Sequence, residues 1–398
     1  MNKICFVVQR YGLEVNGGAE LLTRELAERM GKWYQVEVLT TKAVDYMTWK
    51  DEYINDTEDI NGVYVRRFSV ARERNQDRFN SINEKFLTGS FTKKAEEEEW
   101  INEQGPLVPS LVEYIRDHYD EYDVFLLCTY LYYPTVMGIT EAASKAIVLP
   151  YAHDEPYIRM KTYDRVFLLP KAFFFLTSEE RDLVRHRYNN YAIPYQIGGA
   201  GVDIPERIRC NKEYSAEKFK EKYGLDNYIV YVGRIDEGKN CPELFEFFLK
   251  FKQRNPSDLK LVLMGKAVID IPENSDIVSL GFVSEEDKYA GIAGSKFLVI
   301  PSKFESLSIV VLEAFALKRP VLVDEASEVL KGHCIKSGGG YYYRKYQGFE
   351  QKMLKLLLHW NERNKMGAAG YEYVQKNYQW EVICRKLKML IDKVAEEK

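Results

Sequence analysis

The sequence predicts an α/β chain built from two doubly wound parallel sheets, and three observations carry that prediction. Apolar strand-like runs alternate with helix-spaced segments through both halves. Three glycines, Gly198, Gly199 and Gly201, fall within four residues near the midpoint, where no helix can run through. A length of 398 residues also exceeds what one hydrophobic core usually serves.

In order, residues 4–8 read as a buried strand, 9–18 as a loop, and 19–30 as a helix facing inward with Leu22, Leu26, Ala27 and Met30. Residues 36–40 supply the next strand. The pattern recurs with strands at 124–127, 147–149 and 172–176 and a helix at 135–145. Beyond the glycines, strands are predicted at 229–232, 260–264, 277–280 and 297–300, with helices at 243–252, 285–293 and 307–317. A helical tail covers 373–394. The predicted organisation is therefore a domain at 1–198, a second at 199–372, and a C-terminal helix within 373–398.

Residues 72–105 break the alternation with a charged stretch that includes Glu96-Glu97-Glu98-Glu99. The plain expectation is a solvated helical excursion. The alternative is an acceptor-binding element, because insertions beside a ligand site often carry specificity.

Composition excludes several classes. Lys plus Arg total 56 against 60 Asp plus Glu, a net charge of −4, so there is no global positive field for nucleic acid. Six scattered cysteines form no C-x-x-C pair, and no histidine stands at metal-ligand spacing, which fits a reduced, cytoplasmic chain without a metal. The start, Met1-Asn2-Lys3 before a short apolar run, lacks the pattern of a signal peptide, and no run approaches a membrane span.

The chemistry concentrates in two segments. Gly233-Arg234-Ile235-Asp236-Glu237-Gly238-Lys239 offers two cations on a tight loop after a strand. Pro301-Ser302-Lys303-Phe304-Glu305-Ser306-Leu307-Ser308-Ile309 and Glu313 offer two carboxylates at i and i+8. Cations neutralise phosphate oxygens and carboxylates accept from vicinal diols, so the pair suits a diphosphate flanked by sugar hydroxyls, a nucleotide sugar. Ser306 and Ser308 are capping candidates for a helix whose N-terminus favours phosphate. Read separately, Arg234 and Asp236 make only a turn ion pair, and the carboxylates only a solvated helix face. A glycoside hydrolase would also use two carboxylates, but leaves Arg234 and Lys239 without a role. In the first half, Gly17-Gly18 after strand one lets backbone approach an anion, and lacks the Gly-x-Gly-x-x-Gly of dinucleotide binding. His153, after the strand at 147–149, is either a loop histidine or a site residue.

At these residues the sequence resembles the retaining glycosyltransferases of family 4, most densely from about 201 to 320. The resemblance implies a GT-B architecture, two facing Rossmann-like domains with an interdomain cleft and a final helix returning to the first. It implies transfer of a hexose-type sugar from a nucleoside diphosphate sugar to a glycan, glycolipid or other hydroxyl acceptor, with retained configuration and neither cofactor nor metal. Arg234 and Lys239 then hold the diphosphate, Glu305 the sugar hydroxyls, Glu313 the ribose, and Ser306, Leu307, Ser308 and Ile309 line the phosphate end of the helix. Gly265, Phe282 and Val283 border the base, Gly17 and Gly18 approach donor phosphate and acceptor, and His153 touches the transferred sugar. The catalytic set so implied is His153, Arg234, Lys239 and Glu305. A lipid-linked acceptor would bring the enzyme to the inner face of a membrane. Two other readings stay open, a nucleotide-sugar epimerase of the same architecture and a non-catalytic partner subunit. Lys266-Ala267 and the aromatic Tyr341-Tyr342-Tyr343 depart from the family pattern, and the latter would either stack on an acceptor or pack.

Overall fold

The computed structural model describes residues 2–15, 17–89 and 93–397. It divides into two compact units, Met1–Gly199 together with Glu381–Lys398, and Ala200–Trp380. Among the described residues no helix is long and apolar enough to cross a membrane.

The first unit is an eight-stranded sheet of β1 (Lys3–Val7), β2 (Gln35–Thr41), β3 (Thr57–Ile60), β4 (Val63–Phe68), β5 (Val124–Cys128), β6 (Ala146–Leu149), β7 (Ala172–Phe175) and β8 (Tyr195–Ile197). The spatial order is β3-β4-β2-β1-β5-β6-β7-β8. Neighbours pair in parallel except β3 with β4. Helices cover both faces of the parallel part, so β5, β6 and β7 are buried along their whole length and read as unbroken apolar runs. The antiparallel β3–β4 hairpin turns at Asn61-Gly62, both at positive φ (52° and 81°), the conformation a two-residue type I′ turn requires.

The 72–105 segment is not the solvated excursion expected of it. It forms helices Gln76–Leu87 and Lys94–Gln104, while residues 90–92 of that segment lie outside the described residues. Ile82, Trp100 and Ile101 are buried in the main core of the unit, and the Trp100 ring stacks on Tyr157 with centroids 4.8 Å apart. Of the helix's carboxylates, Glu98 is exposed, Glu97 accepts from the Thr162 amide, and Glu103 is buried.

The expected C-terminal helix is two helices, Trp360–Asn377 and Trp380–Glu396, and only the second belongs to the first unit. There Tyr34 donates to Asp392 Oδ1 at 2.6 Å and Lys386 Nζ to the Ile197 carbonyl at 2.9 Å. Gly198 and Gly201 are required by packing. A Cβ at Gly198 would run into the Phe174 ring, and one at Gly201 into the Trp380 indole.

The second unit is a six-stranded, all-parallel sheet of β9 (Tyr228–Val232), β10 (Lys260–Met264), β11 (Ile277–Ser279), β12 (Leu298–Ile300), β13 (Val321–Asp324) and β14 (Gly340–Tyr343), in the order β11-β10-β9-β12-β13-β14. Helix Cys241–Arg254 makes the β9-to-β10 crossover and buries Leu244, Phe245, Phe247, Phe248 and Phe251, each worth about 1.5–3 kcal/mol of hydrophobic transfer. The aromatic Tyr341–Tyr343 run, expected in a loop, is part of β14, and Tyr343 packs edge-on against Phe349 inside the unit. Packing accounts for Tyr343, while Tyr342 stays exposed.

Each sheet reverses its winding at one place. β1 lies between β2 and β5, and β9 lies between β10 and β12. Ligands of doubly wound sheets bind where the strand order reverses, outside the carboxyl ends.

Candidate functional site

In the second unit that reversal is where the sequence places its chemistry. The chain leaves β9 at Gly233 and β12 at Pro301, so residues 233–240 and 301–308 are neighbouring loops at one edge of the sheet. Two side-chain hydrogen bonds join them. Asn240 Nδ2 donates to the Pro301 carbonyl at 3.2 Å, and Lys239 Nζ donates to Glu305 Oε1 at 2.7 Å. Arg234 forms an ion pair with Asp236, whose other oxygen accepts the Lys239 amide at 2.7 Å. The turn ion pair is thus real, but it braces a loop whose cations stay accessible, with Arg234 45% and Lys239 32% exposed.

Glycine is obligatory at the base of this loop. Gly233 and Gly265 adopt φ of 148° and 149°, and a Cβ on Gly265 would strike the Gly233 carbonyl. The Gly265 amide donates to the Gly281 carbonyl at 2.8 Å, which draws in the loop carrying Phe282 and Val283. Phe282 projects into solvent, 78% exposed.

The helix after β12 departs from expectation. It spans Ile309–Ala316, not 307–317, and Ser308 holds its N-cap position in the left-handed region (φ 63°) without capping through its hydroxyl. Ser306 therefore lies in the loop before the helix, and Glu313 about one turn inside it. Leu307 and Ser308 are buried. The Leu307 carbonyl accepts from the Nε2–H of buried His333 at 2.8 Å, a residue no motif had singled out. His333 is thus a brace of the loop that precedes the helix N-terminus.

Glu313 is buried and fully supported on one oxygen. Oε1 accepts from Lys288 Nζ at 2.9 Å and Tyr289 Oη at 3.0 Å, both from helix Glu285–Gly294, and Oε2 accepts from no donor among the described residues. Burial pulls the Lys288 ammonium down, but Glu313 and Glu285 outweigh it and its pKa ends above the ordinary lysine value. Neither Lys288 nor Tyr289 was legible as a site residue, because their contact with Glu313 spans two crossovers.

In the first unit the loop after β1 is locked by a buried network. Glu20 Oε1 accepts from Gln9 Nε2 at 2.9 Å and pairs with Arg10 at 2.5 Å, while the Thr129 hydroxyl donates to Gln9 Oε1 at 2.8 Å. Gly17 holds the N-cap position of helix Gly18–Met30, where a Cβ would meet the Glu20 carboxylate, whereas a Cβ on Gly18 would meet open space. Asn16, which precedes them, lies outside the described residues.

His153 sits on the loop after β6, with Nδ1 3.6 Å from Glu155 Oε1, and Tyr130 donates to that same oxygen at 2.5 Å. The loop is held by Glu180, which sequence reasoning missed. Its two oxygens accept from the amides of Ala152 (2.7 Å) and Leu176 (2.6 Å), tying together the ends of β6 and β7. Thr129 and Tyr151, at the ends of β5 and β6, both have positive φ, a strain that the surrounding bonds hold in place.

Burial raises the Glu180 carboxyl from 4.5 to about 8, against the opposing pull of backbone amides including those of Leu176 and Ala152. Between those two values the folded chain keeps a proton that the unfolded chain has released. The associated stability is full below 4.5 and is lost as pH rises to about 8. Glu180→Gln is therefore expected to flatten the fall of unfolding free energy over that window, as read by urea denaturation at stepped pH. An unchanged slope would show that Glu180 does not titrate there.

The comparisons with known proteins fit this geometry. Residues 215–373 match the family model described as Glycosyl transferases group 1. The chain is 30% identical over 137 residues to the alpha-D-kanosaminyltransferase of Streptomyces kanamyceticus, covering 31% of this chain and 34% of that one. It is 24% identical over 213 residues to the phosphatidyl-myo-inositol mannosyltransferase of Mycobacterium leprae, covering 50% and 55%. The matched segments thus span about a third to a half of these curated relatives. Among solved structures, sucrose-phosphate synthase from Thermosynechococcus elongatus superposes with a TM-score of 0.69 at 14% identity over 100% of both chains. The Anabaena HepE protein in complex with UDP and glucose gives 0.71 at 14% identity, covering 99% of this chain and 100% of that one. The two parallel-sheet units thus resemble those of GT-B glycosyltransferases, and residues 215–373 carry a Glycosyl transferases group 1 domain.

Proposed function

We propose that the protein is a retaining, metal-independent glycosyltransferase of family 4 that moves a hexose-type sugar from a nucleoside diphosphate sugar to a hydroxyl of a glycan or lipid-linked acceptor. The observation that carries the reading is the meeting of Arg234, Lys239 and Glu305 where the second sheet reverses, with Glu313 held nearby in the sequence by Lys288 and Tyr289. Support comes from the named transferases among the relatives and from the neighbour of like fold whose structure holds UDP and glucose. Because the relatives are named as transferases, the epimerase reading is not favoured, and the partner-subunit reading has no lost site residue to rest on.

In this mechanism the bond between the anomeric carbon and the diphosphate oxygen breaks, and a bond from that carbon to the acceptor oxygen forms on the same face. The acceptor proton passes to the departing phosphate oxygen, so no side-chain base is needed. Arg234 and Lys239 stabilise the charge that develops on the leaving group, assisted by the amides at the N-terminus of helix Ile309–Ala316. On binding, Lys239 exchanges its contact with Glu305 for phosphate, and Glu305 is released to the sugar hydroxyls. Glu313 Oε2 receives the ribose, Gly265, Phe282 and Val283 border the base, and His153 is assigned by resemblance to the transferred sugar. Catalysis by positioning and electrostatics needs no divalent ion.

The test is the anomeric configuration of the product, read from proton NMR coupling constants with EDTA present. A retained anomer formed at full rate in EDTA is expected. An inverted anomer, or activity that returns only with magnesium, would contradict the reading.

A further inference from the structure

We propose that the first unit holds a subsite for an oxyanion on the acceptor, a phosphate or carboxylate, recognised by the Arg74 guanidinium with the Tyr132 hydroxyl beside it. The inference rests on the glycosyltransferase reading above and names its acceptor class.

Cations near the carboxyl ends of β1, β2 and β4 are matched by acids. Arg10 pairs with Glu20, Lys42 with Asp56, Arg67 with Glu58, and Arg72 and Arg78 with Glu103. Arg74, on the loop that leaves β4, pairs with no carboxylate among the described residues. Its Nε donates to the Glu103 carbonyl at 3.2 Å, and its Nη2 donates to the Gln104 carbonyl and to Gln104 Oε1. Its plane lies against Phe79 (4.7 Å) and Trp49 (5.1 Å), and its amide is tied to the Thr48 carbonyl at 2.7 Å. Two edges of the fork are thereby fixed, and Nη1 has no protein acceptor among the described residues.

A guanidinium so immobilised, without a counter-ion, is pre-organised for an anion. Burial pulls Arg74 down to about 10, and the weak influence of Tyr132, Tyr46, Asp45 and Glu103 does not restore it. A bound oxyanion would.

The location suits an acceptor. Trp49 meets Tyr132 edge-on at 5.6 Å, and Tyr132 immediately follows the loop after β5 and caps helix Tyr133–Ala142. The phenol lies within electrostatic reach of Glu20 and Arg10 from the Gly17-Gly18 side, of Arg74, and of Glu155 from the His153 loop. Its hydroxyl makes no hydrogen bond among the described residues, so it offers a second donor where those loops converge. The donor diphosphate has its own cations, Arg234 and Lys239, in the other unit. The 72–105 segment therefore contributes the specificity that its position suggested, through Arg74 and not through its acidic run.

The test is calorimetric and thermal-shift titration of the full chain with inorganic phosphate, glucose 6-phosphate, glucuronate and glucose at constant ionic strength. Wild type is compared with Arg74→Met, Tyr132→Phe and Lys239→Ala. An oxyanion probe is expected to bind wild type and Lys239→Ala alike, glucose not at all, and Arg74→Met about tenfold or more weaker. Response to glucose 6-phosphate alone marks a phosphate acceptor, and response to glucuronate alone a carboxylate. Equal binding in Arg74→Met, or loss confined to Lys239→Ala, would overturn the proposal. Should Arg74→Met fail to fold for want of its carbonyl contacts, Tyr132→Phe decides, and undiminished binding there overturns it. If nucleoside diphosphate sugars bind but no oxyanion effect depends on Arg74, this inference fails alone. If the Arg74 effect stands while no nucleotide sugar binds, the donor assignment fails alone.

Discussion

Replacing Lys239 by alanine is expected to lower kcat/KM for the nucleotide sugar about one hundred- to one thousandfold, the loss typical of removing one pre-organised charge stabiliser from a developing anion. Stability should barely move. The Lys239–Glu305 pair is partly exposed, and such pairs contribute about 0–1 kcal/mol. Arg234→Lys should be nearly as damaging as Arg234→Ala, because an ammonium cannot present the planar fork that spans two phosphate oxygens. The paired variant Lys239→Ala/Glu305→Ala separates the two roles of this contact. If the pair only braced the loops, the double variant would be no worse than Lys239→Ala; if each residue meets the donor, it will be worse. Steady-state kinetics beside a melting curve reads both quantities.

Glu313→Ala should act on stability and on binding together. It strips Lys288 and Tyr289 of their shared acceptor. Breaking a fully buried ion pair costs about 3–5 kcal/mol, but Lys288 is 19% exposed and also reaches Glu285 at 3.2 Å, so about 2 kcal/mol is expected. The double variant Glu313→Leu/Lys288→Met removes the stranded charge and should regain most of that stability without regaining donor affinity. Urea denaturation and donor titration on the same samples would show it. Recovery of affinity in the double variant would mean that Glu313 supports the fold and does not meet the ligand.

Most strands were legible because both faces of each sheet are covered, which turns β1, β5, β6, β7, β9, β10 and β12 into apolar runs. The β3–β4 hairpin was missed although Ile60-Asn61-Gly62-Val63 carries an Asn-Gly turn signal. β13 was hidden for another reason, its apolar run Val321–Asp324 following the preceding helix after a very short turn. The run Glu96–Glu99 suggested solvation, yet Trp100 and Ile101 directly after it reach the core, since one apolar pair is enough to dock a short helix. The two motif loops of the second unit were readable as motifs, and the structure brings Lys239 and Glu305 into contact. Their supports were not readable. His333 and Lys288 act through contacts with residues 26 and 25 positions away, and Glu180 reaches Ala152 across 28, distances at which no local pattern signals the partner. Ser308 looked like a cap because serine favours that place, but its left-handed backbone removes the hydroxyl from the amides it would serve.

The central claim is that Glu313 and the two motif loops bind a nucleoside diphosphate sugar. It is tested most directly by titrating the common nucleoside diphosphate sugars into wild type and Glu313→Ala by thermal shift, first in EDTA and then with magnesium. The expected result is metal-independent stabilisation of wild type by one donor class, absent in Glu313→Ala. No response to any donor, or the same response in both proteins, would contradict the assignment.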